Sequence, residues 1–193
     1  GETLLPRLQT IMTPWMNEGF FAEVVVLVEG EDDRAAILGV AAAKGYDLES
    51  NGISVIPCGG KSSLDRPAAI FRHLGIPVYV VWDSDNGEKD AKPEDNHRLL
   101  RLIGQPVEDW PCQVHDQFAC FECKMERTLQ DEIGSGEFEQ LLQECQNEFC
   151  IPRKKDAIKN PVVIAKVIQM ALQQGRSSGT LENIVNKILA MKG

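Results

Sequence analysis

The chain has no apolar run near the roughly 20 residues of a membrane-spanning helix, so none is expected. Its start, GETLLPRLQT, lacks a basic segment followed by an apolar core, which argues against a secretory signal. Without such a signal, six cysteines read as reduced thiols in a cytoplasmic protein. There is no internal repeat and no low-complexity tract. Positive charge is short: 20 Lys+Arg against 29 Asp+Glu give a formal −9, which at face value argues against bulk nucleic-acid binding. What is present is ordinary for a globular protein, with 43% hydrophobic and 25% charged residues in 193. That length suits one full domain with a small additional subdomain.

The charge is unevenly spread. Residues 1–152 carry 12 Lys+Arg and 27 Asp+Glu, a net of −15, whereas residues 153–193 carry 8 and 2, a net of +6. A basic arm beside an acidic site would produce this pattern, and so would a solvated helical tail.

Leu4, Leu5, Leu8, Ile11, Met12 and Trp15 fall on one helical face, placing an N-terminal helix in residues 1–21. Val24–Val28, Ile53–Ile56 and Val78–Trp82 read as strands buried on both faces. Helical spacing lies between them, in Ala36, Ile37, Val40 and Ala41 and then in Ile70, Phe71 and Leu74. Strands alternating with helices imply a parallel sheet. Beyond residue 90 the strand signal fades. Residues 94–103, the face Phe138/Leu141/Leu142/Cys145/Phe149, and two later periodic stretches read as helices, one opened by Asn160-Pro161. The expectation is a Rossmann-like α/β core over residues 22–90, with a mostly helical region over residues 91–193 packing on it and completing its site.

The acidic residues sit where chemistry would use them. In an open parallel sheet, ligands bind beyond the carboxyl ends of the strands. The first strand runs into Glu29-Gly30-Glu31-Asp32-Asp33 and the third into Asp83-Ser84-Asp85. Neighbouring strands are about 5 Å apart, so the carboxylates converge and repel. Oxygen-only ligands of this kind suit Mg²⁺ or Mn²⁺. An extended Asp83–Asp85 would point both side chains one way, and a helix starting after Glu29 would stack Asp33 beside it. Each motif alone also fits a plainer role, a helix N-terminus or a capped loop.

The ordered pair Glu29-Gly30…Asp33 and Asp83-Ser84-Asp85, each at the end of an apolar strand, resembles the Toprim domain. The wider text, Leu27–Asp33, then Val55-Ile56-Pro57-Cys58-Gly59-Gly60-Lys61, then Trp82–Asp85, looks like the OLD (overcoming lysogenization defect) family of bacterial nucleases. Met125–Leu129 and Lys159-Asn160-Pro161 also fit that family's C-terminal region. The resemblance implies a Toprim parallel sheet flanked by helices, and a DNA endonuclease that hydrolyses phosphodiester bonds with two divalent ions, Mg²⁺ or else Mn²⁺ or Ca²⁺. It implies metal ligands at Glu29, Asp33, Asp83, Asp85 and Glu126, with Glu122 as the rival of Glu126. It implies catalytic roles for Glu29, Asp83 and a lysine, for which Lys159 is chosen over Lys155, Lys166 and Lys61. Lys61, Lys155 and Lys166 are candidate phosphate or DNA contacts. The family's ATPase domain precedes the Toprim part, so ATP is expected to serve only that missing domain, and a homodimer is an arrangement open to the full-length protein. Gly59-Gly60-Lys61-Ser62 is no P-loop, because the place of the required first glycine holds Val55.

Three rivals stand beside this reading. One is zinc on Cys112, His115, Cys120 and Cys123, in a stretch that also reads as a helix. Another is a non-catalytic DNA-binding Toprim module, and the third is a different Toprim enzyme, a ribonuclease or primase fragment. Tyr46 and Tyr79, the only tyrosines, sit near a helix end and inside a strand, which disfavours a covalent phosphotyrosine mechanism.

Overall fold

The computed structural model describes residues 14–89 and 91–192. Most of the N-terminal periodic stretch lies outside the described residues. Its last part forms helix α1 (Pro14–Gly19). The core then alternates β1 (Val24–Val28), α2 (Glu31–Ala43), β2 (Ile53–Pro57), a short 3₁₀ turn (Lys61–Ser63), α3 (Asp65–His73) and β3 (Val78–Asp83). Next come α4 (Pro93–Ile103), β4 (Gln113–Val114) and β5 (Phe118–Phe121). The chain finishes with α5 (Met125–Ile133), α6 (Ser135–Glu148), α7 (Lys154–Ile158), α8 (Pro161–Gln173) and α9 (Gly179–Ala190).

The strands form one five-stranded sheet in the order β2-β1-β3-β5-β4. β1 pairs in parallel with β2 (Val26↔Val55) and β3 (Val26↔Tyr79), and β3 pairs in parallel with β5 (Val81↔Ala119). Only β4 runs antiparallel. Two strands therefore lie beyond residue 90, and the sheet continues past the boundary expected near there. Phe118–Phe121 is a strand, not a helix.

Alternation along each strand divides the apolar residues between two faces. Val24, Val26, Val28, Tyr79 and Val81 pack with α2, α8 and α9. Val25, Leu27, Val80, Trp82 and Phe118 pack against α3 and α4 on the other side. The C-terminal helices thus share a core with the sheet. The start of α8 is read off the sequence: Asn160 accepts the Val162 and Val163 N–H groups through its side chain, and Pro161 opens the helix.

The tightest helix pair is α2 against α8. A Cβ on Gly39 would lie 2.6 Å from Ile164 Cγ2 and 3.0 Å from the Ala165 backbone nitrogen. Glycine is needed here for close approach. Gly39→Val is expected to destabilise the chain by about 1–3 kcal/mol through overpacking, read as a lower urea midpoint. An unchanged midpoint would remove this contact from the account.

Candidate metal centre

Because β1 and β3 are parallel neighbours, their carboxyl ends share one edge of the sheet. Glu29 follows β1 directly, and its Oε1 accepts the backbone N–H of Asp83 at 2.8 Å. Asp33 lies in the first turn of α2, and its Oδ2 accepts the Gly30 N–H at 2.9 Å. The side chain therefore caps its own helix while facing the other acids. Asp83 Oδ1 accepts the N–H of Met125, at the first turn of α5, at 2.9 Å. That bond ties the edge to the helix carrying Glu126, whose carboxylate accepts from Gln130 at 2.7 Å. A small cavity lies between Asp33, Glu126, Ile158 and Ile164. Glu122 is exposed and bonds Asn86 at 3.2 Å.

Burial is the largest influence on these acids, and it pushes them up. Asp83 rises from 3.8 to about 8, raised further by the charges of Asp33 and Glu29. Asp33 rises from 3.8 to about 7, by burial first, with Asp32 and Glu29 adding to it. Glu29 is also raised by burial, against a lowering from the Asp83 N–H and the Lys61 charge.

Asp85 takes a different direction from the one its spacing suggests. Its φ is +61°, in the left-handed region, so the segment after β3 is not extended there. Its carboxylate meets Lys61 Nζ at 2.6 Å, while Asp83 faces Met125. The two acids take different partners. Lys61, read from sequence as a phosphate contact, is only 8% exposed. Ser84 is buried, and its hydroxyl donates to the Pro111 carbonyl.

Asn96 went unnoticed in the sequence. It is fully buried, and its Oδ1 accepts from Trp82 Nε1 at 3.1 Å and Lys61 Nζ at 3.3 Å. Its Nδ2 donates to the carbonyls of Ser84 at 3.1 Å and Asp109 at 2.8 Å. The signal for it was a polar residue on the apolar stripe of α4, in step with Leu99, Leu100 and Ile103.

The basic tail is mostly consumed by surface ion pairs. Arg153, Lys154, Lys166, Arg176, Lys187 and Lys192 pair with Asp156, Glu139, Glu148, Glu137, Asp116 and Glu23. Among the described residues, Lys155 and Lys159 are the two tail cations without an ion pair, and both are exposed. Lys159 caps α7 directly after Ile158, which lines the small cavity beside Asp33 and Glu126.

Among the described residues, no three His, Cys, Asp or Glu side chains are gathered closely enough to hold a metal as they stand. Cys112 is exposed, Cys120 is buried on β5 and Cys123 bonds the Asn86 carbonyl, so the proposed zinc set is not assembled. The acidic edge does fit hard divalent ions by its chemistry. Its donors are all oxygens, and Glu29, Asp33 and Asp83 are strained upward by burial and by one another. An ion there would draw the ligands together rather than enter a preformed cage.

A mostly parallel sheet with acidic residues at the ends of its first and third strands is a Toprim fold. Residues 20–85 match the family model "Overcoming lysogenization defect protein-like, TOPRIM domain". The chain is 34% identical over 82 residues to an OLD nuclease from Thermus scotoductus. That match takes in 42% of this chain and 16% of the relative's length. The C-terminal region of the Xanthomonas campestris pv. campestris OLD protein superposes with a TM-score of 0.55 at 19% identity, covering 90% of this chain and 96% of that one. The equivalent region from Burkholderia pseudomallei gives 0.56 at 20% identity, covering 90% and 100%. These likenesses reach past the sheet and show that the fold of the helical region is shared as well.

The raised acids set a sign for pH dependence. A carboxyl raised on folding keeps its proton in the native state while the unfolded chain has lost it. Native stability therefore falls as pH rises from about 4 towards 8. In chelator-treated protein, these two acids should make the melting temperature lower at pH 8 than at pH 5.5. Added Mn²⁺ should raise it more at pH 8, because binding no longer has to displace protons. Stabilisation by Mn²⁺ that is equal at both pH values would contradict the assignment.

Proposed function

We propose that this chain is the catalytic Toprim part of a divalent-metal-dependent DNA endonuclease, hydrolysing phosphodiester bonds by a two-metal mechanism. The observation that carries the reading is the meeting of Glu29, Asp33 and Asp83 at the carboxyl ends of adjacent parallel strands. Mg²⁺ is the ion proposed, with Mn²⁺ or Ca²⁺ as substitutes. Bound ions would supply Lewis acidity for the attacking water and the leaving oxygen.

The chain's own residues have separable roles in this reading. Glu29, Asp33 and Asp83 hold the ions, and Asp85 contributes on the Lys61 side. Glu126 completes the set in preference to Glu122, because it borders the same cavity as Asp33. Lys159 stabilises charge developing on the phosphate, supported by its freedom from ion pairs and its place directly after Ile158, which lines that cavity. Lys155, four residues earlier on the same short helix, contacts the DNA backbone. Residues 22–90 thus supply most of the metal ligands, and residues 91–193 supply Glu126 and the lysines. Buried Tyr79, its hydroxyl held by the His115 and Phe118 carbonyls, is out of reach of a substrate, which favours direct hydrolysis. In the longer protein, ATP would serve a preceding ATPase domain, which would also be the place for dimerisation.

Incubating supercoiled plasmid with the purified chain and Mg²⁺, Mn²⁺ or Ca²⁺, with and without ATP, tests this. Metal-dependent, ATP-independent nicking is expected. Glu29→Gln and Asp83→Asn should lower it by about a hundredfold or more, and Lys159→Ala by about 10²-fold. Lys187→Ala, at a surface pair with Asp116, should stay within about twofold. Cutting by Asp83→Asn at the parent rate would refute the metal-site assignment.

A further inference from the structure

The acidic edge already holds one cation. The Lys61 ammonium lies 2.6 Å from Asp85 Oδ2 and is 8% exposed, against 30% for Asp85. Three features fix it there. Gly59 and Gly60, at φ +81° and +124°, both donate their N–H groups to the Glu29 carbonyl at 2.9 Å, turning the loop after β2 back onto the end of β1. Those angles belong to the left-handed region, which glycine enters without strain. Asn96 Oδ1 accepts from the ammonium at 3.3 Å. The Asn96 amide cannot turn away, because Trp82, Ser84 and Asp109 hold its other positions.

The Lys61 charge also acts on Glu29, but no such partner reaches Asp33 or Asp83. Asp33 and Asp83 form no ion pair among the described residues, and their hydrogen bonds come from backbone N–H groups alone. One side of the site is therefore neutralised from within, and the other is not. An incoming divalent ion meets opposite conditions at the two places. Between Asp33 and Asp83 it relieves repulsion, whereas at Asp85 it meets a fixed positive charge.

We propose that Lys61 is the resident cation of the Asp85 side, so that ions load unequally: the first between Asp33 and Asp83, and one at Asp85 only by displacing the lysine. Asn96 is the positioning residue that keeps the lysine in place. The inference rests on the reading of this edge as a divalent-metal site. It gives Lys61 a role inside the site in place of the phosphate contact suggested by its two glycines.

Calorimetric titration of chelator-stripped chain with MnCl₂ at neutral pH tests it without any cleavage assay. The parent should show two classes of site, the second at least about tenfold weaker. In Lys61→Met the second class should tighten about tenfold, because a competing positive charge is gone. Lys61→Arg, which keeps the charge, should retain the weak class. If Lys61→Met does not fold by circular dichroism, Lys61→Gln, which is neutral but polar, gives the same readout. A second class equally weak in the parent and the neutral variant overturns the inference and leaves the metal reading standing. A parent that takes up no Mn²⁺ overturns both.

Discussion

Glu29 and Asp83 meet because β1 and β3 lie side by side in parallel, and this is the constraint on which the site depends. Parallel pairing carries both chain ends to the same edge, and the Asp83 N–H closes the contact by donating to the Glu29 carboxylate. Asp33 joins them from the first turn of α2. Burial then raises all three, so the edge resists ionisation for want of a compensating positive charge. Such a site would be a liability in a purely structural sheet. It has a physical purpose when a cation supplies the missing charge.

The helical region is what turns this edge into a pocket. α2 and α8 approach closely enough that Gly39 must lack a side chain. Through that packing α8 is joined to Ile158, which lines the small cavity beside Asp33 and Glu126, while α5 reaches the edge from β5 with its first N–H on Asp83. The charge asymmetry of the chain is then largely internal. Most tail cations neutralise acids elsewhere on the surface, where each pair contributes little to stability.

Much of the fold could be read from the residues. The Val-rich β1 and β3 and the second strand stand out because burial on both faces demands continuous apolar runs. The fold class follows from their alternation with helices. β5 escaped because Phe118-Ala119-Cys120-Phe121 is four residues long and mixes small residues with aromatics, and β4 is only two residues. Within the site, the acidic positions were visible at strand ends, but their directions were not. The left-handed turn at Asp85 and the inward fold of Gly59-Gly60-Lys61 depend on backbone angles that spacing does not encode. Asn96 was hidden for a related reason: its importance comes from four partners brought together from distant segments.

The central claim is that divalent ions occupy the edge formed by Glu29, Asp33 and Asp83. Anomalous scattering from crystals of this chain grown with MnCl₂ tests it most directly. The account predicts a manganese peak coordinated by carboxylate oxygens of Asp33 and Asp83 with Glu29 adjacent, and a weaker peak or none beside Asp85 while Lys61 stays in place. An edge without a peak in crystals that bind manganese elsewhere would contradict it.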